Sequence, residues 1–407
     1  EYEGFGNLTL VRDPDQNETH IRYDIRGHRI AIDDPDLGLR QFEYDALGNV
    51  VRETDAKGQI VINHYDQLGR MIRRDEPEGI TAWQFDIGPL AIGRMSKGAN
   101  GENFIESYSY DSFGRLSNTT NYLQGRKYTV RQSYDEYGRI RTLTYPSGFT
   151  LRYDYSSLGF LETVADLASG HIYFSAQQYN QEGFLSKYRF GNGLETEKHF
   201  NPARGSLERI RSGYIGNWSI QDHEYEYDSL LNLTKRIDHI QGREESFGYD
   251  HLSRLTSSQV VGGYGVSVQY DALGNIEYKS DVGTYHYRTG SAGPHAVSSL
   301  DWTSGFTSQH LYDANGNLIN DGRRELRYGS HNKPTLITKG ESKIGIAYGP
   351  HHTATKGRSY ARYLRLTVDE RTPLRKSDLA TNAQRTVANY YVGDMYEERY
   401  RHNALSS

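Results

Sequence analysis

The sequence predicts an all-β protein, an array of antiparallel hairpin repeats running on as one long curling sheet. Three observations carry this. The phrase Tyr44-Asp45-Ala46-Leu47-Gly48-Asn49-Val50 returns with few changes from one end of the chain to the other. The returns are evenly spaced, which is the mark of a repeat architecture. Hydrophobic content is only 36% and mean hydropathy −0.78, too lean for a thick globular core.

Each position of the phrase has a mechanical reason. Tyr ends a strand and fits a pleated, half-buried surface. Asp suits the first position of a type I turn, where its carboxylate bonds the backbone two residues on, and Gly suits a position of positive φ. The phrase is therefore a hairpin corner from which a new strand leaves. The clearest corners are Tyr23, Asp24 and Gly27; Tyr44, Asp45 and Gly48; Tyr65, Asp66 and Gly69; and Tyr110, Asp111 and Gly114. Tyr134, Asp135 and Gly138 continue the series, as do Tyr270, Asp271 and Gly274, then Tyr312, Asp313 and Gly316. A second, weaker corner follows each, as at Ala56-Lys57-Gly58, Pro77-Glu78-Gly79 and Pro146-Ser147-Gly148. One repeat is two short strands and two turns.

In order, the landmarks fall at Tyr2, Tyr23, Tyr44, Tyr65, Phe85, Tyr110, Tyr134, Tyr153, Tyr179, Phe200, Tyr227, Tyr249, Tyr270 and Tyr312, with steps of 19 to 27 residues and one gap of 42. The gap reads as two steps with a blurred middle near Tyr285 and Tyr287. Residues 1–90 are the most regular. Between 91 and 240 some copies degenerate: Asn180 and Asn201 replace Asp, and Leu231 replaces Gly, as Ser253 does further on. Irregular turns are expected there. The array is assigned to 1–348 and a distinct C-terminal segment to 349–407. Within that segment a polar loop is expected around 368–387, and a frayed end from Arg401. Right-handed strand twist makes so long a sheet curl.

Tyr65-Asp66-Gln67-Leu68-Gly69-Arg70 and Tyr312-Asp313-Ala314-Asn315-Gly316-Asn317-Leu318 resemble the RHS or YD repeat. Gly293-Pro294-His295-Ala296-Val297 and Tyr391-Val392-Gly393-Asp394-Met395-Tyr396-Glu397 resemble segments late in the RHS region of bacterial polymorphic toxins and of the B and C components of Tc toxins. The resemblance covers residues 1 to about 397. It implies that the curled sheet forms part of a hollow shell around a central cavity; the periodicity alone implies only stacked hairpins. Self-cleaving members of that family carry an Asp-Pro-x-Gly type motif and an aspartyl-protease-like site in their C-terminal core. Neither occurs here, so no protease activity is expected.

Thirty-four tyrosines and abundant arginines suit a thin wall, since each buries a ring or stem and keeps a polar tip in water. The net charge of −5 is dispersed, so no nucleic-acid partner is expected. The chain has no cysteine, which excludes disulfides and thiolate metal sites. No apolar run approaches a membrane span, and no basic-apolar leader opens the sequence. An internal fragment of a longer polypeptide is the expectation.

Candidate reactive groups weigh poorly against turn chemistry. Asp13-Pro14-Asp15-Gln16-Asn17 alternates oxygen ligands, but Glu18 stands where a calcium loop needs Gly. Asp33-Asp34-Pro35-Asp36 and Asp75-Glu76 could be imagined as an acid and base pair, yet both fall at second corners, where Asp and Pro are favoured for geometry. The fifteen histidines lack ligand spacing, and the adjacent His351 and His352 point to opposite faces if on a strand. Five Asn-x-Ser/Thr sequons, at Asn7, Asn17, Asn118, Asn217 and Asn232, are no more than such a composition supplies by chance. No nucleophile elbow or phosphate loop occurs. No cofactor, metal or catalytic residue is expected.

The expected role is therefore structural. The resemblance implies a shell segment that in the intact, secreted polypeptide encloses a C-terminal toxin domain together with the remaining RHS repeats, and meets a delivery component. The alternative is an extracellular adhesion or carbohydrate-binding protein, whose exposed Tyr and Trp rings would stack on sugars. A β-solenoid glycosidase would need two carboxylates facing one another in a cleft.

Overall fold

A computed structural model describes residues 1–101, 104–123, 125–340, 342–350, 362–368, 385–392 and 396–403. Among these residues every regular element is a β-strand, from Leu10–Arg12 to Tyr396–Asn403. The chain divides into two compact units. One comprises 1–129, 271–275 and 284–407, the other 130–270 and 276–283.

In both units sequence neighbours pair antiparallel, as the period requires. In the first unit Gly38–Tyr44 pairs with Val50–Thr54, matching Gln41 to Thr54 and Tyr44 to Val50. Register shifts by one residue between Glu43 and Tyr44. The same shift precedes Tyr23, Tyr65 and Tyr110. In the second unit it precedes Tyr134, Tyr227, Tyr249 and Tyr270. The shift leaves one extra residue on the departing strand, Val51 in this copy, just after a turn whose left-handed residue is glycine in most copies, and such bulges increase local right-handed twist.

Second corners come in two lengths. Asp55 to Gln59 repeats the turn without the register shift: the Asp55 N–H donates to the Gln59 carbonyl at 3.1 Å and the Gly58 N–H to the Asp55 carbonyl at 2.9 Å. Pro77-Glu78 is a two-residue loop between the paired Glu76 and Gly79.

Burial is sparse, as a thin sheet dictates. In the first unit Ala31, Trp83, Phe104, Leu123 and Tyr128 are buried, and in the second Leu143, Ala165 and Val268. Most strand residues are half-buried, and both faces mix polar and apolar side chains, as where exposed Ile62 neighbours buried Asn63.

Three expectations are corrected. The eighth corner is at Tyr155, not Tyr153: the Ser156 N–H donates to the Phe160 carbonyl, the Gly159 N–H to the Ser156 carbonyl, and Tyr153-Asp154 lies inside the strand Thr150–Tyr155. Spacing to glycine, not the Tyr-Asp pair, sets the turn. Of the degenerate corners only that at Asn201 is irregular, one residue longer with its N–H donating to the Ser206 carbonyl; Asn180 keeps the regular bonds, and Leu231 and Ser253 adopt φ of +65° and +59° and keep the corner hydrogen bonds to Asp228 and Asp250. The blurred middle of the long gap resolves at the strand Gly283–Tyr287, followed by an enlarged corner up to Val297–Trp302.

The third correction concerns the C-terminal segment. Val368 pairs with Thr386, and Arg385, Thr386 and Val387 pair with Asn403, His402 and Arg401. Strand therefore occupies both ends of the expected loop and the residues Arg401, His402 and Asn403 of the expected frayed end. An open strand edge offers backbone partners to any extended segment, with or without the corner phrase. The remainder of the expected loop, the residues past Asn403, and His351 and His352 lie outside the described residues.

Candidate functional site

The repeat corner is the first recurring site. At Asp45 the carboxylate Oδ1 accepts the N–H groups of Leu47 and Asn49, both at 2.9 Å, and Oδ2 accepts Asn49 Nδ2 at 2.9 Å. Asp66 repeats this with Leu68 and Arg70, whose Nε lies 2.7 Å from Oδ2. Asp111, Asp135 and Asp250 do the same with Arg115, Arg139 and Arg254. At Asp24 the partner is His28, and at Asp271 and Asp313 it is Asn275 and Asn317. The glycines Gly27, Gly48, Gly69, Gly114, Gly138, Gly274 and Gly316 hold φ between +73° and +91°, which L side chains rarely adopt.

These bonds favour ionised carboxylates. The Asn49 side chain, and then its backbone N–H, hold Asp45 below the usual carboxylate range. The backbone N–H of Arg70, outweighing some burial, does so for Asp66. That of Arg254 does so for Asp250.

The tyrosines do more than end strands. Tyr44 Oη donates to the Arg29 carbonyl at 2.8 Å, Tyr65 to Val50 at 2.9 Å, and Tyr110 to Met95 at 2.6 Å. Tyr23, Tyr270 and Tyr312 reach Leu8, Leu255 and Val297 in the same way. Tyr134 Oη accepts from Gln132 Nε2 at 2.5 Å. Apart from Leu8, an isolated bridge residue ahead of the first strand, each latched carbonyl belongs to the apolar or Arg residue that opens a strand after the preceding corner. The Arg, Asn or His after the glycine is a second tie. Arg70 stacks 4.5 Å from the Phe85 ring centroid, and its Nη2 lies 2.6 Å from Asp86. Arg139 stacks over Tyr155 at 4.3 Å, and Arg254 over Tyr270 at 4.7 Å. The alternation of Arg, Asn and His at that position was visible in every clean copy and could have revealed this tie.

A second site lies within the first unit, where the second corners of early repeats meet the corners of late ones across 248 to 276 residues of sequence. Asp15 pairs with Arg288. Asp36 Oδ1 accepts the His295 N–H at 3.0 Å, and Oδ2 lies 2.6 Å from His295 Nδ1. Asn315 Nδ2 donates to Asp55 Oδ2 at 2.6 Å, its Oδ1 accepts the Lys57 N–H at 3.2 Å, and Lys57 Nζ lies 3.1 Å from Asp313. Glu78 accepts the N–H and the hydroxyl of Ser330 at 2.6 and 2.7 Å. Further along, Asn100 Nδ2 donates to the Tyr348 carbonyl at 3.3 Å and the Arg74 guanidinium to the Pro350 carbonyl at 3.5 Å.

This seam is tight. A Cβ on Gly316 would stand 2.4 Å from the Asp36 carbonyl oxygen, and one on Gly38 2.8 Å from that of Ala314. Burial beside the seam pushes the Glu76 carboxyl up, against the pull of Arg74, and pushes the His331 imidazole down. His331 stands edge-on to Tyr348, with ring centroids 4.9 Å apart.

The acidic clusters singled out in the sequence are absorbed by this geometry. Asp34 accepts the N–H groups of Asp36 and Leu37 in its own turn, while Asp36 serves the seam. Asp75 is held by Arg73 and His64, and Glu76 by Arg74 and Thr81. Asp13 accepts from Asp15 and Asn17, an ordinary corner rather than a cation loop. Among the described residues no group of three or more His, Asp or Glu side chains is placed to hold a metal. Sequence reading missed the seam partners because nothing local marks a residue as facing another some 250 positions away, although Asp36 and the Gly293–Val297 phrase each stand out in the sequence.

A family model of the RHS repeat matches residues 26–60 and 44–82. Among solved structures, the chain superposes on TcdB2-TccC3-TEV with a TM-score of 0.78 at 16% identity, covering 99% of this chain and 23% of that one. It matches the Photorhabdus luminescens Tc holotoxin pore with a TM-score of 0.72 at 15% identity, covering 99% of this chain and 24% of that one. For TcdB2-TccC3 the TM-score is 0.74 at 15% identity, covering 99% and 25%. The likeness is one of fold, and the chain spans about a quarter of the length of these structures. No curated protein matches the sequence.

Proposed function

We propose that this RHS/YD-repeat chain is a wall segment of a container that, in a longer secreted polypeptide, holds a C-terminal toxin domain apart from its surroundings until delivery. The observation that carries the reading is the seam: the first unit joins the edge of its early repeats to the edge of its late ones through buried Asn315 and the Asp36–His295 pair. A sheet that seals its own edges makes a barrier by hydrogen bonding alone. The fold shared with TcdB2-TccC3 supports the same role. The remaining RHS repeats, the enclosed domain and a delivery component are the partners this role requires.

The test is electron cryo-microscopy with limited proteolysis of the natural polypeptide that contains these repeats. A lumen holding density from the region after the repeats, and protection of that region until the wall is cut, are expected. Inward side chains packed into a solid interior, or cleavage of the C-terminal region at the rate of the isolated domain, would sink the proposal.

A further inference from the structure

The chain holds three Asn-Gly dipeptides, at Asn100, Asn192 and Asn315. Such a pair is chemically labile. Asparagine is a thermolabile residue, and a following glycine has no Cβ to shield the backbone nitrogen that attacks the side-chain amide. That nitrogen bonds to Cγ and gives up its proton, ammonia leaves, and a cyclic imide remains. Water then opens the imide at either carbonyl, leaving aspartate or isoaspartate, so the net change consumes one water and releases one ammonia.

The fold treats the three sites differently. Asn315 is buried, and its whole amide is engaged in and beside the seam. Nδ2 donates to Asp55 Oδ2 at 2.6 Å and to Asn332 Oδ1 at 3.0 Å, while Oδ1 accepts the Lys57 N–H at 3.2 Å. Turning Cγ onto the Gly316 nitrogen would break all three. Asn100 is held in the same unit, where its Nδ2 donates to the Tyr348 carbonyl at 3.3 Å. Asn192 lies at an exposed turn of the second unit, and its side chain makes a single bond among the described residues, accepting the Leu194 N–H at 3.1 Å. The attacking nitrogens do not account for the difference, since the N–H groups of Gly193 and Gly316 both serve turn carbonyls, of Phe190 at 2.9 Å and Asp313 at 3.0 Å. The side-chain amide is what the seam guards.

We infer that Asn315–Gly316 is a deamidation site gated by the seam: a closed seam preserves the amide, and an open one lets it become an acid that prevents reclosure. Either product loses both Nδ2 donors and sets a carboxylate against that of Asp55, while the Lys57 ammonium is already engaged by Asp313 at 3.1 Å. Like charges held this close in a buried setting repel. Isoaspartate also adds an atom to the backbone ahead of Gly316, where the Asp36 carbonyl oxygen leaves no room even for a Cβ. A single opening, if long enough for the imide to form, is thereby made permanent. The inference rests on the seam and stands whether or not the wall encloses a domain.

Peptide mapping by mass spectrometry, with aspartyl and isoaspartyl products separated, tests it on the chain incubated in mildly alkaline buffer, folded and in denaturant. Unfolded, the three sites should convert at similar rates. Folding should protect Asn315 at least about 10-fold more than Asn192, because reaction at Asn315 waits for local opening. Asp36→Ala removes the His295 pair and leaves the bonds of Asn315 in place, so it should speed conversion at Asn315 and leave Asn192 unchanged. Asn315→Asp, made directly, should raise hydrogen exchange at Lys57 and His295, whereas Asn192→Asp should not. Conversion of Asn315 as fast as Asn192 in the folded chain, no acceleration in Asp36→Ala, or seam amides in Asn315→Asp as protected as the parent's would each overturn the proposal.

Discussion

Leu231 and Ser253 stand where other corners have glycine, in a backbone region that costs an L residue about 1–2 kcal/mol. Because the corner bonds are intact at both, Leu231→Gly and Ser253→Gly should each stabilise the chain by about 0.5–1 kcal/mol, after the entropy glycine adds to the unfolded state. Denaturant midpoints would show this, and a loss of stability in both variants would mean the left-handed backbone is not strained. The tyrosine latch makes a graded prediction. The Met95 carbonyl takes Tyr110, so Tyr110→Phe should cost about 1 kcal/mol or more. The Val50 carbonyl takes both Tyr65 and Asn63 Nδ2, so Tyr65→Phe should cost clearly less. Phe85 and Phe200 already fill the same slot, so the ring itself is accommodated. Equal costs for the two would discount the latch.

Among the elements, first corners were legible because Asp, Gly and their spacing act within five residues, and those residues alone fix the turn. Tyr153 misled because a Tyr-Asp pair on a strand looks like a corner until the distance to Gly159 is counted. The seam was illegible for the opposite reason: its partners meet only after the sheet has curled, and the curl accumulates from the twist of many strands rather than from any one residue. Two glycines with similar backbones separate these scales. Gly58 and Gly316 have φ of +76° and +77°, but a Cβ on Gly58 meets nothing within 4 Å while one on Gly316 strikes the Asp36 backbone. Gly58→Ala should therefore cost about 1–2 kcal/mol from backbone strain alone. Gly316→Ala should add an overpacking cost of about 1–3 kcal/mol and open the seam. Hydrogen exchange would then rise at Asp36–Leu37 and Lys57 in Gly316→Ala only. A seam that stays protected would show that the backbone there gives way freely.

Across the whole molecule, stability is spread over many similar corners, each contacting chiefly its neighbours, as in other repeat arrays. That makes the response to acid a property of the array. Asp45, Asp66 and Asp250 have carboxyls held below their ordinary range, by Asn49 for the first and by the backbone N–H groups of Arg70 and Arg254 for the others. A depressed folded-state pKa means the unfolded chain binds the proton first. The stabilisation is therefore complete above the unfolded value, about 3.9, and is lost as pH falls through the lower folded values. His331 acts higher up: burial lowers its folded pKa from the usual 6.5, so the unfolded state takes up its proton first and stability declines as pH falls below that value. Glu76, raised by burial, works against this, since its folded form holds the proton more readily. The two regions separate by substitution. Asn180 shows that the corner keeps its turn with an amide, so combining Asp45→Asn, Asp66→Asn and Asp250→Asn should flatten the fall in stability below pH 4 and leave the region near pH 6 unchanged. His331→Gln should do the reverse. Stability followed against pH by denaturant titration distinguishes them, and a triple variant with the parent's slope below pH 4 would remove the corner carboxylates from the account of acid sensitivity.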